Sequence, residues 1–247
     1  MKLKIMTYNI CSGHDHNDYT PENPNHGALT VDATRAAYVM KKHMPDIIGV
    51  NEVRGKGNIP EYEEQARQMG EVMGYHYFFG PAIQFKNGPY GNAILSRFPI
   101  LHAEIIPIPD PEVKDEEGAY YETRDIIKAE LDVPGGLTVF VSHFGLAKSE
   151  EKNAVATLLN ALKDVRGNVL FMGDLNMTPD NPILAPVFDV LTDTASIQAE
   201  PPMTFAWYNP DRKIDYIFTS KNIRTLDIEV PFEKTSDHMP FIANIEF

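Results

Sequence analysis

Short apolar runs broken by polar residues dominate the chain. Residues 169–172 (VLFM) follow Asn168 and are closed by Gly173. A run this short, ended by a residue that permits a tight turn, predicts a buried strand. Residues 4–10 alternate polar and apolar, and residues 47–50 are apolar. Both are predicted strands, as are 75–79, 92–95, 100–108, 214–219, 224–230 and 241–247. Residues 125–133 and 137–142 flank Pro134-Gly135-Gly136 and predict a hairpin. Helical spacing occurs over 33–44, with Asp32 as the expected cap and Pro45 beyond the end. It recurs over 61–73, stopped by Gly74, and from Ser149, the expected N-cap, to about residue 164. Residues 188–191 fit neither pattern. Residues 11–30 and 109–122 lack periodicity and predict loops, the second at the surface.

Strand–helix–strand order occurs twice, over 4–50 and 137–172. Few helices among many strands predict packed sheets with helices outside. No linker or low-complexity tract divides the chain, so one domain over 1–247 is expected. A polar residue stands at the end of many predicted strands. Strand ends that meet at one edge would gather these into one site.

Composition narrows the function. The 247 residues suffice for a sizeable core, and no window approaches the length of a membrane span. The N-terminal residues read as a strand and not as a signal peptide. The one cysteine, Cys11, is expected to exclude an internal disulfide and any cysteine-based zinc site, which fits a reducing cytoplasm. Net charge is −13, from 22 basic and 35 acidic residues. Duplex-binding proteins are usually basic, so a stable nucleic-acid complex is not expected. A monomer is.

Candidate chemistry lies at the strand ends: Asn9, Glu52, His143, Asp174, Asn176, Asp215, Asp237 and His238. Asp174 and Asn176 are two apart, so in extended chain they point the same way and can hold a hard cation, a water or a phosphate oxygen. A strand followed by an Asx turn explains the same pair. Asp215 lies inside KIDYIF, where a carboxylate entering an apolar strand needs a partner.

The segments MTYNI, PDIIGVNEV, YGNAILSRFPI, VSHF, FMGDLNMTP, KIDYIF and SDHMPF occur in this order between Met6 and Phe241. In this the chain resembles the endonuclease/exonuclease/phosphatase superfamily of DNase I-like, metal-dependent phosphoesterases. The resemblance implies an α/β fold: a four-layer α-β-β-α sandwich of two mixed sheets with the site at one edge. It implies hydrolysis of a phosphodiester or phosphomonoester with Mg²⁺, or Mn²⁺ in its place. By the same resemblance Glu52 ligates the metal, Asn9 supports metal or phosphate, and Asp237 is a second acidic position beside the metal. Asp174 and Asn176 orient water and phosphate. His238 acts at the phosphate and pairs with Asp215. His143 is the second site histidine, and Arg124 a phosphate-binding arginine.

One departure is Asn51, where the family usually has glutamine before the metal-binding glutamate. Another is the 11–30 loop with His14, Asp15, His16 and His26, a candidate extra metal site or a solvated loop. Cys11 reads as packing. Arg54, Lys56, Lys86, Arg97, Arg124, Lys128 and Lys148 fall near strand-end loops, where they would grip a small phosphorylated molecule. Trp207 and Tyr208 read as loop anchors or a stacking platform. The competing functions are a nuclease on DNA or RNA, an inactive binding module on the same fold, and a zinc hydrolase centred on His14 and His16.

Overall fold

The computed structural model describes residues 1–16, 31–58, 63–85, 88–114 and 116–247. His26, Glu61 and Lys86 lie outside them. In chain order the elements are β1 (Lys2–Asn9), α1 (Thr34–His43), β2 (Ile47–Arg54), α2 (Gln65–Met73), β3 (His76–Phe85), β4 (Gly88–Ser96), β5 (Ile100–Pro107), β6 (Asp125–Leu131), β7 (Leu137–His143), α3 (Lys148–Leu162), β8 (Val169–Asp174), α4 (Ala185–Val190), β9 (Thr192–Asp193), β10 (Asp215–Thr219), β11 (Arg224–Glu229) and β12 (Phe241–Glu246).

Two six-stranded sheets result, ordered β11-β12-β1-β2-β4-β3 and β5-β6-β7-β8-β10-β9. In each, one parallel pair (β1 with β2, β7 with β8) is joined through a helix, and the other pairs are antiparallel. This is the expected four-layer sandwich.

Strand parity sets the layers. Leu3 and Ile5 of β1 pack in the inter-sheet core with Val139 and Val141 of β7, Leu170 and Met172 of β8, and Ile217 of β10. The alternate residues face helices. Met6 and Tyr8 pack with Ala37 and Met40 of α1 and Met69 of α2. Phe171 and Phe218 pack with Leu158 of α3 and Val187 of α4. Carrying the inward parity to the strand ends reaches Asn9, Asn51, His143, Asp174 and Asp215. The functional candidates therefore continue the rows that build the inter-sheet core.

Helix ends show where local signals hold and where they fail. Asp32 accepts hydrogen bonds from the Thr34 N–H (2.9 Å) and Thr34 hydroxyl (2.6 Å) at the start of α1, as expected. Gly74 ends α2 in the left-handed region at φ +70°. Ser149, however, is not the cap of α3. It lies inside the first turn, and Glu116 from the preceding loop accepts the Lys148 and Ser149 N–H groups at 2.9 Å each. Residues 188–191 resolve into the end of α4 and the turn that follows it.

Candidate active site

Register brings three candidates side by side. His143 on β7 pairs with Asp174 on β8, which pairs in turn with Asp215 on β10. On the opposite sheet Asn9 pairs with Asn51. Gly173 makes the close approach feasible: its φ is +145°, and a Cβ there would lie 1.8 Å from the Ser142 carbonyl oxygen.

Glu52 reaches the site by an irregularity. It is not at the exit of β2 but inside it, at φ +59°, where the β2–β4 register shifts between Val50 and Val53. A bulge re-aims a side chain in this way. The Asn9 Nδ2 donates to Glu52 Oε1 (3.0 Å) and to Asp174 Oδ2 (3.1 Å), bridging the two sheets. Asn9 Oδ1 accepts the Cys11 N–H at 3.0 Å, and that backbone donor fixes which way the amide faces. Asn9 thus offers N–H groups, not its oxygen, to this part of the site. Through these bonds Asn9 holds the Glu52 and Asp174 carboxylates in place.

Asp174 reconciles two readings of its turn. Its Oδ1 accepts the Asn176 N–H at 2.9 Å, an Asx turn that leaves Asn176 at φ +53°. Its Oδ2 faces the other way, 3.5 Å from both His143 Nε2 and His238 Nε2. Burial, the main cause, pushes the carboxyl up to about 7.

The two histidines are held in opposite states. For His238, burial would lower the pKa, but the charges of Asp215 and Asp174 outweigh it and hold the ring well above its ordinary value. Nδ1 donates to Asp215 Oδ2 at 2.9 Å. For His143, burial, the Arg124 guanidinium and His238 all act downward, and the ring sits well below its ordinary value. Arg124 Nη1 lies 3.0 Å from its Nδ1 and Asn176 Nδ2 lies 3.1 Å from its Nε2; a neutral ring has one acceptor nitrogen, so one of the two donates to it. Arg124 is itself ion-paired with Glu122 at 2.7 Å.

The loop carrying Asp237 and His238 is tied to β1 by the Ser236 hydroxyl, which donates to the Asn9 carbonyl at 2.7 Å. Glu52, Arg124, His143, Asp174, Asn176, Asp237 and His238 line one open cavity of about 310 Å³, and Asp215 stands behind His238.

The endonuclease/exonuclease/phosphatase family profile matches residues 6–238. The chain belongs to that family. Its members are hydrolases acting on phosphoester bonds. No curated protein matches the chain by sequence. Among solved structures it is similar to an endonuclease/exonuclease/phosphatase from Beutenbergia cavernae, with 24% identity and a TM-score of 0.80 over 100% of this chain and 72% of that one. It is also similar to a Bacteroides vulgatus endonuclease/exonuclease/phosphatase (19%, 0.77, covering 100% and 99%). A third is the mannosyl-6-phosphatase of Bacteroides thetaiotaomicron (18%, 0.75, 99% and 100%).

Against the family pattern, Asn51 is compensated. Its Oδ1 accepts the Asp174 N–H (2.9 Å), while its Nδ2 donates to the Ser142 carbonyl (2.9 Å) and to Asn92 Oδ1 (2.8 Å). Asn92 then donates to Asp125 Oδ1 at 2.8 Å. The short amide is completed by a second asparagine, and every polar atom of its side chain is used.

The donor set fits a divalent ion. Burial and the neighbouring Asp237 carboxylate both raise the Glu52 carboxyl above its ordinary value. Two carboxylates held this close are relieved by a cation, and hard oxygen donors suit Mg²⁺ or Mn²⁺.

Several residues of the site carry no local signal. Tyr90 on β4 lines the cavity with Glu52 as its hydrogen-bond partner, and burial followed by the Glu52 charge raises its pKa. Tyr120, Glu122, Leu146 and Phe205 also line it. The 109–122 loop, expected at the surface, therefore contributes a wall. A polar side chain two residues before Arg124 is the one hint of Glu122. Of the basic residues expected near the site, Arg124 is the one that lines the cavity among the described residues. Arg97 pairs with Asp46 at 3.0 Å and Lys128 with Glu104 at 2.8 Å, away from it. His14 and His16 both lie beside Cys11: His14 Nδ1 donates to the Cys11 carbonyl at 2.7 Å and stands 3.9 Å from Cys11 Sγ, and His16 lies with Cys11 and Asp237.

Proposed function

We propose that the chain hydrolyses a small phosphate ester in a divalent-cation-dependent reaction. The arrangement of His238 between two carboxylates carries this reading. Asp215 behind and Asp174 in front keep the ring charged, so it presents an N–H to an anionic oxygen entering the cavity. Asp174, pushed up to about 7, is matched to take a proton from water near neutral pH. His143 stays neutral and, with Asn176 and Arg124, positions the phosphate. Glu52 and Asp237 hold the ion, which when bound neutralises phosphate charge and stabilises the leaving oxygen. Asn9 keeps Glu52 and Asp174 apart and oriented. Buried carboxylates and imidazoles at such spacing demand partners, and each has one here.

Size and charge point to the substrate class. A cavity of about 310 Å³, with one lining arginine already ion-paired and a net charge of −13, favours a small phosphorylated molecule over a long nucleic acid. The mannosyl-6-phosphatase of similar fold acts on a phosphorylated sugar, which makes sugar phosphates the first class to test. We place the protein in the cytoplasm as a monomer.

The test is a panel of sugar phosphates, inositol phosphates, phospholipids, a bis-phosphate ester and nucleic acids, with Mg²⁺, Mn²⁺ or chelator. Hydrolysis of a small ester should require the cation and fall at least about 10²-fold in His238→Ala and Glu52→Ala that remain folded by circular dichroism. Activity surviving in chelator or in His238→Ala, or nucleic acid as the preferred substrate, would sink the proposal.

A further inference from the structure

A second set of ligating side chains meets on the far side of Asp237. Cys11 stands in the tight turn after β1, His16 in the segment following it, and Asp237 in the loop before β12. One donor atom from each, the thiol sulphur, a ring nitrogen and a carboxylate oxygen, lies within 4.8 Å of the others. These are three different ligand types from chain regions more than two hundred residues apart. A tetrahedral ion bonded at roughly 2.0–2.3 Å holds such donors about 3.3–3.7 Å from one another, so closure needs at most about an ångström of contraction.

The backbone of the turn that carries Cys11 is fixed, while burial and then the Asp237 and Glu52 carboxylates hold its thiol well above its ordinary value, so a bound ion must displace the thiol proton. The Cys11 N–H is held by Asn9 Oδ1 at 3.0 Å and its carbonyl by His14 Nδ1 at 2.7 Å, so both backbone groups are engaged within the turn. The Ser236 hydroxyl, spent on the Asn9 carbonyl, holds the loop that carries Asp237 against β1. His14 Nδ1, 3.9 Å from the sulphur, is spent on the Cys11 carbonyl, and the His16 ring nitrogen is the imidazole atom grouped with Cys11 and Asp237.

We propose that Cys11, His16 and Asp237 form a second cation site, for a thiophilic divalent ion such as Zn²⁺, beside the hard-oxygen site at Glu52. A thiolate and an imidazole select Zn²⁺ or Co²⁺ over Mg²⁺, whereas Glu52 and its surroundings offer oxygen. The two sites share Asp237 but differ in chemistry. This inference goes beyond the phosphoesterase reading and is read out without turnover.

Cobalt alone is the probe. The chain has one cysteine, so any thiolate-to-Co²⁺ charge-transfer band in the near ultraviolet belongs to Cys11. Titrating the full chain with Co²⁺ should produce that band with one-to-one stoichiometry, and one equivalent of Zn²⁺ should bleach it. The band should vanish in Cys11→Ser, weaken at least tenfold in affinity in His16→Ala, and persist in Glu52→Gln. His16→Gln serves if the alanine variant misfolds by circular dichroism. A folded wild-type protein with no band at saturating Co²⁺, or a band whose affinity ignores His16, overturns the site.

Discussion

Asp215 does its work through another residue, which makes it the most informative single substitution. It touches His238 Nδ1 at 2.9 Å and does not line the cavity. Its negative charge favours the charged imidazole, so removing it in Asp215→Asn lowers the His238 pKa. In the proposed mechanism the reaction needs Asp174 deprotonated and His238 protonated. Activity should therefore rise with pH as Asp174 titrates and fall at higher pH as His238 loses its proton. In Asp215→Asn the alkaline limb should move down by roughly 1–2 pH units, with kcat reduced about 10²-fold or more. The pH profile of kcat/KM checks this. An unmoved alkaline limb would assign Asp215 to packing only.

The elements explain why residues distant in sequence meet, and how much of that was legible. An apolar strand whose inward row ends in a polar residue announces both the core and the site. The rows through Leu170, Met172 and Asp174 and through Ile217 and Asp215 did so. Ser149 misled because helix capping was assigned from the nearest serine, whereas the cap arrives from Glu116, across a long loop. Glu52 was recognised, but its left-handed backbone inside β2 has no compositional mark. Tyr90, Asn92 and Asp125 join the network only through pairing between strands and sheets. Gly173 shows how strictly the β7–β8 contact is set. In Gly173→Ala the methyl would meet the Ser142 oxygen within 1.8 Å, at a backbone angle L-residues avoid. Gly74→Ala needs only the left-handed helical angle, φ +70°, which an L-residue adopts at modest cost, and has nothing within 4 Å. Urea unfolding should show a loss of about 3–5 kcal/mol for the first and about 1 kcal/mol for the second. Equal losses would mean that conformation, and not the approach of β8 to β7, sets the requirement for glycine at 173.

Across the whole molecule, the inter-sheet layer changes from apolar to polar toward one end. Leu3, Ile5, Val139 and Leu170 give way to Asn9, Asn51, Asn92, Asp125 and Asp174, linked by one hydrogen bond within a sheet (Asn51–Asn92) and three that cross between sheets. This polar end supports the site, and Asp125 is one place away from the cavity lining where it loses stability as pH rises. Asn92 donates to Asp125 Oδ1, but Oδ2 is buried with no hydrogen-bond partner. Burial, only partly offset by Asn92, pushes the carboxyl up to about 6. The sign follows from linkage. Below about pH 4 Asp125 is protonated in both the folded and unfolded chains and costs nothing. Between about 4 and 6 the unfolded chain releases its proton while the folded chain retains it, so folding stability from this group falls as pH rises. Above about 6 the loss is complete, at roughly 2–3 kcal/mol. Asp125→Asn keeps an oxygen for Asn92 and mimics the protonated acid. Denaturant unfolding should therefore find wild type and variant within about 1 kcal/mol at pH 4, and the variant ahead by about 2 kcal/mol at pH 8. A gap that does not widen with pH would show that the Asp125 carboxylate is stabilised by a partner beyond Asn92, and that the polar end of the sandwich is wetter than its hydrogen bonds imply.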